Sequence, residues 1–292
     1  MNFSNYLFIV GQHRTGSTLL KNILNAHSEI TMAHDEMNLY EPFRNNTLER
    51  LVDNDSLTAE EVTGLIANKK IYGTFWQEFA KSGISLESLR KKLQDKEVIK
   101  SQSMIQSVLE LIVEQSDSRY SGVKYPVQVS KVSYIAKHFP EAKVIFLSRH
   151  PAAIIASKIN DEATQKRKEK SWLHRFSIHY STLLYFIIEY RISVDTYFKN
   201  SNNLYLVLYE ELVTDKQKTV HSLCAWLGIS FEEGMLQVSG KSSSHNVKES
   251  GSVYRASLER YKEVLNSFDR FIIRLFTSNH LKRIQRASGF NL

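Results

Sequence analysis

The stretch YLFIVGQHRTGSTLLKNIL, residues 6–24, decides the fold that we expect. Its first residues, Tyr6–Val10, form a short apolar run with β-branched and aromatic side chains, which predicts a buried strand. The glycine-containing loop Gly11–Gly16 follows, and from Ser17 onward apolar residues recur at helical spacing. A strand, a loop and a helix N-terminus in this order present backbone N–H groups and the positive end of the helix dipole. The stretch therefore predicts a binding site for phosphate or sulfate.

The loop departs at one position from the P-loop pattern G-x-x-x-x-G-K-[ST], because Ser17 stands where the lysine belongs. An enzyme that uses a nucleoside triphosphate would lack that charge between the β- and γ-phosphates. Arg14 supplies a positive charge from inside the loop instead. An ordinary strand-to-helix turn is the alternative, but the arginine, the hydroxyls of Ser17 and Thr18 and the apolar helix in one register favour anion binding.

Length and composition are typical of a soluble globular protein. The chain has 292 residues, of which 42% are hydrophobic and 24% charged. A chain of this length can bury a large core as one domain, and we expect a single domain over 1–292. Within it, residues 47–115 read as a helical insertion and residues 262–292 as a basic helical tail.

Charge and cysteine content narrow the class of protein further. A net charge of +7 suits a small polyanionic ligand, but no single basic block dominates, so nucleic acid is not an expected partner. No run of about 18 apolar residues indicates a transmembrane segment, and a first strand beginning by residue 6 leaves no room for a signal peptide. The single cysteine, Cys224, cannot form an internal disulfide, which favours the reducing cytoplasm.

Further strands alternate with helices along the chain, which predicts an α/β fold with a central parallel sheet flanked by helices. Between the elements we expect an irregular or extended passage at Glu29–Tyr40 and a charged linker at Asp161–Lys170. The predicted strands after the first are Tyr120–Lys124, Lys143–Leu147 and Leu204–Leu208; the later predicted helices are Gln128–His138, Pro151–Asn160, Trp172–Phe198 and Asp215–Leu227. Ligands of such sheets bind at the carboxyl ends of the strands, where residues 11–18, Lys124 and Arg149 would lie.

Three segments resemble sulfotransferases that use 3′-phosphoadenosine 5′-phosphosulfate (PAPS). Gly11–Leu20 is similar to the family's 5′-phosphosulfate loop, of the type found in bacterial, tyrosylprotein and carbohydrate sulfotransferases. Val144–Ser157 resembles its 3′-phosphate segment, a strand followed by an arginine and, eight residues later, a serine. Leu206–Leu227 is similar to its late strand and helix. The resemblance implies a P-loop-like three-layer sandwich and PAPS as the sulfuryl donor, with adenosine 3′,5′-bisphosphate (PAP) as product.

The resemblance also implies a role for individual residues. Arg149 and Ser157 would bind the 3′-phosphate, and Tyr209 would contact the cofactor. Lys124, which opens a Lys-x-Pro segment, would join Arg14 in neutralising the charge that develops on the 5′-phosphate. The residues implied for cofactor binding are Arg14, Thr15, Gly16, Ser17, Thr18, Leu19, Arg149, Ser157 and Tyr209. One departure is Asp161, which stands where the family has a further arginine.

A carboxylate is expected to remove the proton of the acceptor. The resemblance places this base 21 residues after the loop arginine, at Asp35. Glu36 is the alternative, because side chains of adjacent residues in an extended segment point to opposite sides. His34 is the next candidate. The leaving group is a stable phosphate anion, so the expected chemistry requires no metal.

Several readings of function remain open. The leading one is a PAPS-dependent sulfotransferase that modifies a hydroxyl or an amine of a small molecule, glycan or peptide. A P-loop kinase and a catalytically silent nucleotide-binding protein are the alternatives. The tail Arg270–Arg286 predicts an amphipathic helix or helix pair, either as a packed surface helix with a solvated basic face or as a contact with an acidic partner or a membrane surface. The oligomeric state is left open.

Overall fold

The computed structural model describes residues 5–34, 47–68, 81, 83–125, 131–168, 171–238 and 257–290. Five strands form one parallel sheet in the order β2-β3-β1-β4-β5. The strands are β1 (Tyr6–Gly11), β2 (Ile30–Met32), β3 (Tyr120–Tyr125), β4 (Lys143–Ser148) and β5 (Leu204–Leu208). Helices flank this sheet, so the predicted α/β sandwich of the P-loop-like type is confirmed.

Helices occupy most of the chain between the strands. The helices before β4 are α1 (Ser17–Leu24), α2 (Leu48–Asn54), α3 (Ala59–Ala67), α4 (Leu86–Gln94), α5 (Ser101–Ser116) and α6 (Lys131–His138). Those after β4 are α7 (Pro151–Ile159), α8 (Glu162–Lys168), α9 (Trp172–Asn200), α10 (Tyr209–Thr214), α11 (Lys216–Leu227), α12 (Tyr261–Val264) and α13 (Ser267–Ser288). Short 3₁₀ turns lie at Ser201–Asn203 and Glu233–Leu236. None of the described helices is long and apolar enough to span a bilayer.

Contacts between Cα atoms divide the described chain into two compact units. The first takes the described residues within Met1–Ile9, Lys21–Tyr125 and Tyr134–Lys143. The second takes those within Val10–Leu20, Pro126–Ser133 and Val144–Leu292.

The first unit is built around an aromatic core and capped helices. The ring of Phe8 stacks on that of Tyr125 with 6.0 Å between centroids and contacts Phe139 at 5.3 Å. Helix α3 begins with a capping box in which Thr58 and Glu61 satisfy each other's backbone N–H groups. The capping box stabilises the first turn of α3, which lies inside the predicted helical region 47–115.

The second unit contains the predicted arginine segments and the long helices. Strand β4 pairs in parallel with β5 in the register Val144↔Leu204 to Ser148↔Leu208. Proline suits the first position of α7, because a backbone N–H in the first turn of a helix has no acceptor within the helix and proline has no N–H. Helix α11 ends at Gly228, whose left-handed backbone (φ +71°) is the common C-terminal stop.

One expectation was wrong in detail. The charged linker Asp161–Lys170 is helical over Glu162–Lys168, where Glu162 and Lys166 form an i,i+4 ion pair of 2.6 Å. The passage from Glu29, expected to be irregular or extended, contains the extended strand β2, which pairs with β3 in the register Ile30↔Tyr120. The remainder of that passage, 35–40, lies outside the described residues.

Candidate functional site

The loop between β1 and α1 has a backbone that only glycine allows at two points. Gly11 has φ +147°, and a Cβ atom there would collide with the backbone oxygen of Leu147. Gly16 has φ +96°, and a Cβ atom there would lie 2.6 Å from Cε2 of the Tyr209 ring. Arg14, between them, is one of two described non-glycine residues with positive φ, at +67°. The loop is therefore held in one tight shape by its backbone.

Side-chain hydrogen bonds fix the same loop from inside. Gln12 is buried, and its Nε2 donates to the carbonyl oxygen of Phe186 at 3.0 Å and to Oε2 of Glu189 at 3.1 Å, both on α9. The hydroxyl of Thr15 donates to the carbonyl oxygen of Gln12 at 2.8 Å. Burial raises the pKa of Glu189 to about 7, and the bond from Gln12 opposes that shift.

Arg14 extends from the loop to helix α7. Its Nε donates to Oγ of Ser157 at 3.0 Å, and the arginine side chain itself is exposed. Ser157 lies near the end of α7, a helix in which every residue from Pro151 to Ala156 is buried. The structure thus brings a residue predicted for the 5′-phosphate end into contact with one predicted for the 3′-phosphate end.

Arg149 is held far more tightly, directly after β4. Only 8% of the residue is exposed. One guanidinium nitrogen donates to the carbonyl oxygen of Arg14 at 3.2 Å, and the other donates to the carbonyl oxygen and Oγ of Ser257 at 3.0 and 3.3 Å. Its Cζ lies 4.1 Å from the centroid of the Tyr209 ring, a cation–π contact. The charge is therefore pre-positioned before any ligand binds.

Tyr209 and Ser257 connect the two arginine segments. Tyr209 begins α10 directly after β5, and its ring occupies the space that a side chain at Gly16 would need. Its hydroxyl lies 2.9 Å from Oγ of Ser257. The sequence prediction included Tyr209 and missed Ser257. Ser257 follows Arg149 by 108 residues and belongs to no recognisable motif, so no signal in the sequence pointed to it.

The turn into α7 is completed by a neutral histidine. Nδ1 of His150 accepts from the backbone N–H of Ala152 at 3.3 Å, which caps the helix. Burial, and to a smaller extent the charge of Arg149, lower the pKa of His150 to about 4. Its backbone N–H donates to Oε1 of Glu210 at 2.8 Å, and burial raises the pKa of that carboxyl. Neither His150 nor Glu210 belongs to the site residues predicted from the sequence.

The remaining predicted site residues lie in different parts of the chain. Ser17, Thr18 and Leu19 form the first turn of α1, with Ser17 and Leu19 buried. Lys124 lies in β3, within the first unit, and is buried with 8% exposed. Asp35 and Glu36 lie outside the described residues.

The second unit thus brings Arg14, Arg149 and the hydroxyl of Ser157 together, and the loop that carries Arg14 leads into the N-terminus of α1 at Ser17. This arrangement suits a ligand with more than one anionic group, since guanidinium groups and N-terminal N–H groups both favour phosphate or sulfate. In the described part of the chain, no three His, Cys, Asp or Glu side chains are grouped to hold a metal ion.

The fold and loop define an α/β protein of the P-loop-like class with a glycine-bounded loop after its first strand. The profile of the Sulfotransferase family matches residues 7–233, and the chain belongs to that family. Human sulfotransferase 2A1 is 26% identical over 207 residues, which cover 69% of this chain and 71% of the human protein.

Solved structures share the fold at low sequence identity. The sulfotransferase domain of the Synechococcus PCC 7002 olefin synthase superposes with a TM-score of 0.55 and 16% identity, covering 98% of this chain and 95% of that domain. Mouse sulfotransferase SULT7A1, solved in complex with PAP, gives a TM-score of 0.52 and 10% identity, covering 98% of this chain and 89% of the mouse chain.

Proposed function

We propose that this chain transfers a sulfuryl group from PAPS to an acceptor hydroxyl or amine. The observation that carries the proposal is the contact of Arg14 with Ser157 beside the buried Arg149. It joins the predicted 5′- and 3′-phosphate segments into one cationic site. Family membership and a relative solved with PAP support the same donor.

The residues present fit a nucleotide with phosphates at two positions. The glycines let the loop backbone pack against Leu147 and Tyr209, while the side chain of Arg14 stays exposed and could meet a phosphosulfate group. Arg149 and Ser157 would hold the 3′-phosphate, while Arg14, Thr15, Gly16, Ser17, Thr18 and Leu19 would hold the 5′ end. Tyr209 would keep Arg149 in place through its ring.

Sulfuryl transfer, like phosphoryl transfer, depends mainly on positioning and on stabilising the charge of the leaving oxygen. When bound, PAPS supplies an activated sulfuryl group whose leaving group is a phosphate. In this proposal Arg14 and Lys124 neutralise the charge that grows on that phosphate. The hydroxyls of Ser17 and Thr18 donate hydrogen bonds to it. Asp35 or Glu36 accepts the proton of the acceptor, a contribution of roughly 10²–10⁴-fold.

Ligand-dependent melting tests the donor. PAP and adenosine 5′-monophosphate differ only by the 3′-phosphate, so PAP should raise the melting temperature clearly more. The additional shift should disappear in Ser157→Ala combined with Arg149→Ala. Stronger stabilisation by ATP with magnesium than by PAP would contradict the proposal and support the kinase alternative. Screening acceptors with PAPS by mass spectrometry then tests turnover.

The identity of the base requires its own pair of variants. Asp35→Asn and Glu36→Gln each remove one carboxylate with little change in size. The variant that removes the base should lose turnover by about 10²-fold or more while its affinity for PAP is retained. If both variants keep near-normal turnover, neither carboxylate is the base and His34→Gln is the next variant to measure.

A further inference from the structure

Two helices of the second unit expose a large amount of apolar surface. Every large apolar side chain that is exposed in the described residues, apart from Val98, lies on α9 or α13. We call this set the apolar face: Trp172, Leu173, Phe176, Leu184, Tyr185, Ile188 and Ile192 on α9, with Phe268, Phe271, Leu275 and Phe276 on α13. Trp172 is 74% exposed. Single exposed apolar residues are ordinary, but a concentration of eleven on two helices indicates an interaction surface.

The two helices pack side by side, so their exposed residues form one surface. His179 lies 3.1 Å from Asp269, and further along Asp195 accepts from Arg283 at 2.7 Å. Both pairs advance in the same direction along the two helices, so the helices run parallel. The ring of Tyr180 contacts that of Phe268 at 6.3 Å between centroids.

Residue spacing places the apolar side chains in the middle of α9 on the outer side of this pair, whereas Trp172 and Phe176 lie on a different side of α9 near its N-terminus. Leu184, Ile188 and Ile192 recur every four residues and share one stripe of α9. On α13 the stripe of Ile273, Thr277 and Ile284 is buried, whereas Phe271 and Leu275 are 61% and 60% exposed. The core of the second unit is thus already covered by other residues of these helices.

The charge of the same two helices is strongly positive. They carry eight lysines and arginines against three acidic residues. All three acids are engaged: Asp269 is buried beside His179, Asp195 pairs with Arg283, and Glu189 accepts from Gln12. The exposed charge is therefore cationic, contributed by Arg175, Arg191, Arg274, Lys282 and Arg286.

We propose that the apolar face binds the surface of an anionic lipid bilayer. Bulky apolar side chains beside lysines and arginines, with the acids engaged elsewhere, are the features of helices that lie in the membrane interface. Anionic head groups attract such cations, and Trp and Phe side chains enter the boundary with the acyl chains. A second copy of the chain fits less well, because a two-fold dimer sets the same cationic patch against itself.

A cleft of about 620 Å³ at the N-terminal end of α9 belongs to the same region. It is lined by Trp172, Arg175, Phe176, His179, Tyr180, Gln165 and Asn266. One exposed arginine beside three aromatic rings suits a phosphate head group with its apolar linkage. A lipid head group could therefore bind in this cleft, next to the apolar face.

Co-sedimentation with lipid vesicles tests the proposal without any cofactor or acceptor. The full chain is mixed with vesicles of phosphatidylcholine alone or with phosphatidylserine added. We expect binding to the mixed vesicles that weakens as salt is raised. Phe271→Ser combined with Leu275→Ser should lower partitioning into vesicles by about tenfold or more, because two apolar side chains that would move from water into the bilayer are removed. Arg274→Gln combined with Lys282→Gln should lower it about tenfold on anionic vesicles only.

Matched control variants show whether binding depends on the apolar face in particular or on any exposed apolar or charged side chain. Val98→Ser removes an exposed apolar side chain from the first unit, and Lys91→Gln combined with Lys96→Gln removes two exposed charges there; both should leave binding unchanged. Equal binding of wild type to neutral and anionic vesicles, or equal losses in the control variants, would overturn the proposal. A dimer in light scattering that Phe271→Ser with Leu275→Ser dissociates, together with no vesicle binding, would assign the face to a second copy.

Discussion

Two strand-to-helix connections in the second unit each carry an arginine, and they are built in opposite ways. The connection from β1 to α1 is five residues long, has positive φ at Arg14 and Gly16, and leaves Arg14 exposed. The connection from β4 to α7 has only two residues, Arg149 and His150, and buries its arginine.

The difference concerns how much freedom each guanidinium retains. Arg14 has a backbone fixed at positive φ, but its side chain is held by the single described hydrogen bond to Ser157. Arg149 has an ordinary backbone but a side chain held by Arg14, Ser257 and the Tyr209 ring. A guanidinium that is already fixed loses little side-chain freedom when it binds an anion, whereas one held by a single hydrogen bond loses more. The candidate site thus orders the backbone at one end and the side chain at the other.

The largest expected effect comes from a substitution at Gly11, the last residue of β1 and the residue directly before the first connection. Gly11→Ala forces a Cβ atom against the backbone oxygen of Leu147 at φ +147°. Strain and overpacking together should lower the free energy of unfolding by about 4 kcal/mol. Denaturant unfolding monitored by circular dichroism measures this change.

Gly64→Ala is the matched control for that variant. Gly64 lies inside α3, has no positive φ, and has no heavy atom within 4 Å of the position that a Cβ atom would take. Alanine there should raise stability by about 0.5–1 kcal/mol, as expected inside a helix. Equal behaviour of the two variants would show that the first connection is not fixed by its glycine.

In the second connection, the largest loss of PAP binding should come from removing the side chain of Arg149. Arg149→Ala removes the charge-assisted contacts and should cost about 2–4 kcal/mol of PAP binding, measured by titration calorimetry. In turnover the loss should appear chiefly in the Michaelis constant for PAPS, because the 3′-phosphate does not change during the reaction. Arg14→Ala should instead lower turnover.

Arg90→Ala provides the control, since Arg90 is an exposed arginine of the first unit that pairs only with a neighbouring glutamate among the described residues. Its PAP affinity should stay within about twofold of wild type. Unchanged affinity in Arg149→Ala would remove that arginine from the proposed site.

The pH dependence of stability tests the hydrogen bond from Gln12, in the first connection, to Glu189. Burial raises the pKa of Glu189 to about 7, so the folded state holds this proton more firmly than the unfolded chain. The resulting stability is present below about pH 4.5 and is lost as the pH rises through about 7, by up to about 3 kcal/mol. Glu189→Gln keeps an acceptor for Gln12 and should flatten that part of the stability profile. An identical slope in wild type and variant would contradict the assignment.

The smallest expected effect comes from His150, which caps the N-terminus of α7 at the end of the second connection. His150→Ala removes the acceptor for the Ala152 N–H and should cost about 1 kcal/mol of stability near neutral pH, whereas His150→Asn should restore most of it. The pKa of His150 is lowered to about 4, so the stability it provides is present above about pH 6.5 and is lost as the pH falls through about 4. A pH-independent difference between wild type and His150→Ala would exclude this explanation.

The sequence predicted elements whose signal is local and missed those that depend on distant partners. The strand at Leu204–Leu208 and the start of α7 at Pro151 agree with the structure because apolar runs and proline act within a few residues. Strand β2 has three residues and depends on pairing with β3, more than 80 residues later in sequence, so the local pattern predicts only an irregular or extended passage there. The predicted linker is helical at Glu162–Lys168 because glutamate, glutamine, lysine and arginine all form helices readily.

The candidate site shows the same limit. The family motifs contain Arg14, Arg149 and Tyr209, and the structure places these three together. Ser257 has no motif, and its contacts arise only once the chain has folded back over 108 residues. The choice between Asp35 and Glu36 stays a prediction, since both lie outside the described residues.

The bond between Arg149 and Ser257 also has a consequence for the order in which the protein is made. At about 5–20 residues per second, a ribosome adds Ser257 roughly 5–20 s after Arg149. During that interval both arginine loops have been synthesised while one partner of the buried guanidinium does not yet exist. A chain released before residue 257 would carry every motif of the site without one of the residues that positions Arg149, so the site is completed only after the last of its motifs has been translated.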